Sequence, residues 1–174
     1  LIHGDLYEGA YERASERFKD AWPALKGSML LRVQVVRAEA HQLRAMTALA
    51  CVQEGHIRGS SRARTLAMVA GEIKEMQAED EPWIHALATL LQASLDGLRG
   101  DAAGLRRQVE AAAKRFDDCA MALHAAVARR QLGILDGGSA GGEAVARADA
   151  FMTGQRIRNP QRVAACLAPA LVKA

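Results

Sequence analysis

Aromatic residues are scarce in this chain. Three Phe, two Trp and two Tyr make up 4% of 174 residues, while hydrophobic residues make up 50%. A core with so few rings has to be filled by Ala, Leu, Val and Met, which suits close helix packing. The Val, Ile, Thr and aromatic mixture that builds strands is thin. Cysteine is scarce too. Cys51, Cys119 and Cys166 are an odd number, widely spaced and without a CxxC pair. That argues against a disulfide framework or a structural zinc site, and for a reducing, cytoplasmic setting. Long hydrophobic runs are missing: no apolar run approaches the roughly 20 residues a bilayer span requires. Excess charge of one sign is missing as well. Lys and Arg number 23 against 20 Asp and Glu, giving a net charge of +3 and no strong electrostatic reason to bind nucleic acid or an anionic membrane. Arg dominates the basic residues, which codon bias explains more simply than anion recognition.

The motifs of common chemistries are absent. A phosphate loop needs GxxxxGK[ST] after a strand, and the glycine-rich "DGGSAGG" at 136–142 has neither Lys nor strand, so it reads as a flexible connection. No HExxH occurs, and His3, His41, His56, His85 and His124 are scattered, with no two four apart. Cys119 and His124 lie five apart on helical sequence and point different ways. Ser nucleophiles lack a GxSxG elbow. The acidic groups Glu79-Asp80-Glu81 and Asp117-Asp118 fall at helix ends, where capping or solvation is the ordinary role. The expectation is a non-enzymatic chain with no catalytic, cofactor or metal site.

What is present is helical periodicity, broken by glycine punctuation. A helix at about 6–25 carries Leu6, Ala10, Ala14, Phe18 and Ala21 on one face, and Pro23 ends or kinks it. A long helix at about 28–54 stacks Val33, Val36, Ala40, Leu43 and Ala50, with Ser28 as N-cap and Gly55 as stop. Ser60 or Ser61 caps a helix running from about 61 to 78, and Pro82 opens one running to about 98. Gly100 and Asp101 stop that helix and cap the next, at about 102–117. Helices follow at about 119–135 and 143–155, and a short one opened by Asn159-Pro160 is closed by Pro169.

One phrase is written twice: "ASERFKD" at 14–20 returns as "AAKRFDD" at 112–118, each after a Gly-Asp pair, Gly4-Asp5 and Gly100-Asp101. This reads as the second helix of a repeated helical hairpin, with Phe filling the gap between neighbouring hairpins. Turn glycines near 4, 55, 100 and 137 then mark the units. The expected architecture is all-α: one domain over 1–174, an α-α superhelix of seven to eight helices stacked as antiparallel hairpins. Its units are about 1–25 (partial), 28–78, 82–118 and 119–156, with a terminal cap at 157–174. A single irregular helical bundle is the alternative.

Residues 100–142, "GDAAGLRRQVEAAAKRFDDCAMALHAAVARRQLGILDGGSAGG", resemble the late repeats of tetratricopeptide-like arrays in large bacterial signalling ATPases. The closing "FMTGQRIRNPQRVAACLAP" at 151–169 resembles the C-terminal end of multidomain bacterial serine/threonine protein kinases of myxobacterial type. The hairpins depart from the strict 34-residue consensus in being longer, and no HRD, DFG or VAIK-type lysine occurs. The resemblance implies a C-terminal regulatory or scaffolding region of a larger cytoplasmic signalling protein. Opening on Leu1 rather than Met fits an excised piece.

In such arrays the first helix of each hairpin lines the concave side. The polar stripes expected there are Gln34, Arg37, His41 and Arg44 on the first, Gln92 on the second, and His124, Arg130 and Gln131 on the third. The bland expectation is a set of solvated faces. The sharper one is a groove for an acidic peptide or protein, with Arg37 and Arg44 as forked donors. Neighbouring domains of the parent are further expected partners. Two other functions remain open. One is sensing of a small molecule or peptide by a STAND-type ATPase or transcriptional regulator. The other is homodimerisation through the N-terminal helix, which reads as a second hairpin member that has lost its first.

Overall fold

The computed structural model describes residues 1–171, and among them all regular structure is helical. The elements are α1 (Ile2–Glu8), α2 (Tyr11–Gly27), a 3-10 turn (Met29–Arg32), α3 (Gln34–Gln53), α4 (Gly59–Gln77), α5 (Pro82–Arg99), α6 (Ala102–Asp118), α7 (Ala122–Asp136), α8 (Gly138–Gly154) and α9 (Pro160–Leu167). Each helix packs on its predecessor and successor, and α3 also touches α5, so these two first helices lie side by side. Short connections impose this antiparallel stacking. The result is the all-α stack of helical hairpins that the periodicity predicts.

The twice-written phrase falls on α2 and α6, both second helices. Ala14 and Ala112 are fully buried, as is Phe116, with Phe18 nearly so. Gly55 and Gly100 adopt left-handed φ values of 77° and 84° at the predicted stops. Asp101 then accepts from the Gly104 amide at 2.8 Å as the N-cap of α6, and Asn159 accepts from the Arg162 amide at 3.0 Å to open α9.

Several local expectations are corrected. The first helix is two helices, broken at Gly9 (φ 78°) and not at Gly4, which lies inside α1. The opening hairpin therefore has its first member, a short one. Asp5 is no cap. It is buried and ion-paired with Arg13 at 2.6 Å and Arg17 at 2.8 Å, fastening α1 to α2. Helix α2 continues past Pro23 to Gly27. Ser28 caps the 3-10 turn, so α3 starts late and Val33 is exposed instead of joining an apolar stripe. Arg58, not Ser60 or Ser61, takes the N-cap position of α4, because Gly59 at φ 57° lets the chain enter the helix earlier.

The glycine patch is not a flexible connection. Gly137 and Gly138 make the turn at φ 64° and 58°, and α8 already begins at Gly138. The reason is packing: a Cβ on Gly133 would sit 2.7 Å from the Gly141 carbonyl oxygen, so missing side chains let α7 and α8 touch backbone to backbone. At the far end, α9 packs on α7 and α8 and also reaches α1, where the Cys166 thiol faces the His3 carbonyl at 3.6 Å. The cap at 157–171 therefore joins both ends of the stack; residues 172–174 lie outside the described residues.

Candidate functional site

The four polar residues on α3 do share a face, and that face meets α4, the second helix of its own hairpin, and the turn after it. Arg37 grips Glu79 with both arms of its guanidinium, Nε to Oε1 at 2.5 Å and Nη2 to Oε2 at 2.8 Å, and Gln34 adds a 3.1 Å bond to Oε2. One turn further on, His41 Nδ1 lies 2.6 Å from Glu72 Oε2, and Arg44 Nη1 donates to Oε1 at 2.7 Å. Arg44 also lies 4.8 Å over the Trp22 ring, against which Phe18 stacks. Glu72 is only 6% exposed, so each of its oxygens needs the cation or imidazole it faces. The hydrogen bond from Arg37 holds the Glu79 carboxyl below the usual carboxylate range, and Glu79 raises the Arg37 guanidinium in return. Glu79 is thus a partly buried anchor and not the solvated helix end its sequence position suggested.

The remaining predicted residues do not join this face. Gln92 donates to Asp96 Oδ1 at 2.6 Å within α5. His124 is largely buried with its ring centroid 5.2 Å from that of Phe116, and burial pushes its pKa down. Arg130 is buried and donates from Nε to Asp149 of α8 at 2.8 Å.

Arg130 also opens into a cleft. The C-terminal end of α3, the middle of α7, the helix α9 and the turn after it enclose about 480 Å³, with Gln53, Glu54, Arg130, Gln131, Asn159 and Arg162 as polar lining. Two first helices, α3 and α7, contribute to this cleft, while α5 contributes no lining residue. The contribution of α3 is its end, Ala50 to Glu54, and not the stripe at 34–44. Gln131 is 4% exposed, and its amide oxygen has no hydrogen-bond partner among the described residues. Residue patterns alone did not show that α9 forms one wall of this cleft.

The cysteines are reduced and well separated in role. Burial pushes the Cys166 thiol up to about 11 and raises that of Cys51, so neither is a ready nucleophile. Among the described residues no group of three His, Cys, Asp or Glu side chains is placed to hold a metal, and no helix is long and apolar enough to cross a membrane. Fold and site together define a helical-hairpin stack with a polar concave cleft. Compared with family models, curated proteins and solved structures, the chain matches none.

Proposed function

We propose that the chain is a non-catalytic protein-interaction and scaffolding module of a larger bacterial signalling protein, of the serine/threonine kinase kind its C-terminal residues resemble. The observation that carries this reading is an exposed apolar ridge where α2 passes to α3. Met29 is 68% exposed, Leu30 54%, Val33 50% and Val35 53%. Four large apolar side chains within one short stretch offer anchors for a protein partner. Their backbone is fixed in advance. Ser28 caps the turn, and Arg37, already gripping Glu79, donates Nη1 to the Leu31 carbonyl at 2.9 Å. A preordered ridge loses little conformational entropy on docking. The occupant is an apolar surface on a neighbouring domain of the parent chain. The acidic-partner variant of this reading has less support, since Arg37 and Arg44 hold carboxylates of the chain itself.

The test is a Met29→Ser/Leu30→Ser/Val35→Ser variant, assayed for binding in trans to the rest of the parent protein. The variant loses no buried contact, so its melting temperature stays near that of the wild type while binding falls at least tenfold. Undiminished binding overturns the ridge as the docking surface. A wild-type dimer in light scattering that becomes a monomer in the variant would assign the ridge to a second copy.

A further inference from the structure

The concave cleft poses a question that the ridge does not answer. A buried amide oxygen without a donor keeps the full penalty of leaving water, and folded chains rarely leave one. Gln131 Oε1 is such an atom, and Gln131 lines the cleft. Its sequence neighbour Arg130 is 5% exposed and donates only Nε to Asp149, so among the described residues its two terminal nitrogens take no protein partner. Arg162 on α9 lines the same cleft, is exposed, and its guanidinium makes no hydrogen bond or ion pair with another described residue. Asn159 uses its side-chain oxygen on the α9 cap and leaves its amide N–H groups free to face a guest. A volume of about 480 Å³ is that of a small-molecule site.

We infer that this cleft binds a small carboxylic acid bearing a hydroxyl or amino group, with the carboxylate between Arg130 and Arg162 and the ligand's O–H or N–H donating to Gln131 Oε1. The two guanidiniums supply forked, charge-assisted donors that match a carboxylate. The orphan oxygen supplies the selectivity: a ligand with a donor satisfies it, and one without leaves it stranded. Such a ligand bridges α7 to α9 and thereby fastens the helix that joins the two ends of the stack. Nothing in this site touches the ridge at 29–35, so either can fail without the other.

The experiment uses the full chain and three matched probe pairs: lactate with propionate, malate with succinate, and glutamate with glutarate. Binding is followed by thermal shift and by calorimetry. At least one hydroxy or amino acid raises the melting temperature saturably and binds at least tenfold more tightly than its donor-less mate. Arg162→Ala, at an exposed position, weakens that probe about tenfold. Gln131→Leu removes the preference within the pair and leaves the unliganded protein as stable as before or more so. The inference is overturned if no probe binds saturably, if the pairs bind alike, or if Gln131→Leu destabilises the empty protein, which would mean its amide already has a partner.

Discussion

At the scale of single residues, the α3 stripe shows how a basic face finds its complement within the same hairpin. Arg37 and Arg44 are separated by seven positions, and so are Glu79 and Glu72, taken in reverse order. Two antiparallel helices bring such sets into register. Reversing Arg37 to Glu places two carboxylates together and lowers stability in urea unfolding, and adding Glu79→Arg recovers much of the loss. The coupling energy from the cycle is expected at about 0.5–3 kcal/mol. Additive effects would mean the pair is not formed. His124 gives a pH signature. Burial holds its folded pKa below the ordinary 6.5, so the unfolded chain takes up the proton first. Stability from this group is complete above that value and falls as pH drops below it. Glu79, also depressed, adds a loss further down, as pH falls through the ordinary carboxylate range toward its folded pKa. Urea titrations from pH 7.5 to 5.5 should show a slope that His124→Leu removes, and an unchanged slope would place the imidazole in water.

At the scale of elements, some helix ends were readable in the sequence because their signals are local. Gly55, Gly100, Asp101, Asn159 and Pro160 act within a turn of their own positions, and they fall where pattern reading put them. The 136–142 patch reads as a flexible connection because a missing side chain looks the same whether it loosens a loop or admits a neighbour. Gly133 precedes the turn and Gly141 follows it, and only the α7–α8 crossing shows that they meet. Gly133→Ala and Gly141→Ala should each cost about 1–3 kcal/mol by overpacking. Gly142→Ala, whose Cβ would meet nothing within 4 Å, should stabilise by about 0.5–1 kcal/mol through helix propensity. Equal effects at the three positions, measured by thermal unfolding, would remove the close crossing. The partners of the α3 stripe were hidden for a different reason. Glu72 and Glu79 lie about thirty to forty positions away, and periodicity assigns a residue to a face without saying what faces it.

At the scale of the whole molecule, successive hairpins pack one on the next from α1–α2 through α7–α8, and α9 touches α7, α8 and α1. That docking makes the concave cleft, buries Cys166 and leaves the ridge at 29–35 as the prominent apolar surface. It also decides whether the cleft exists at all, since α9 forms one wall. An eight-residue helix does not persist alone in water. Its order therefore reports directly on its docking, and hydrogen–deuterium exchange over residues 160–167 of the native protein is the decisive measurement. If α9 is seated between α7 and α1, the amides of Ala164 to Leu167 exchange orders of magnitude more slowly than free peptide, on the timescale of the core helices. Exchange at the free-peptide rate, with α3 to α7 still protected, would contradict the closed stack and the cleft with it.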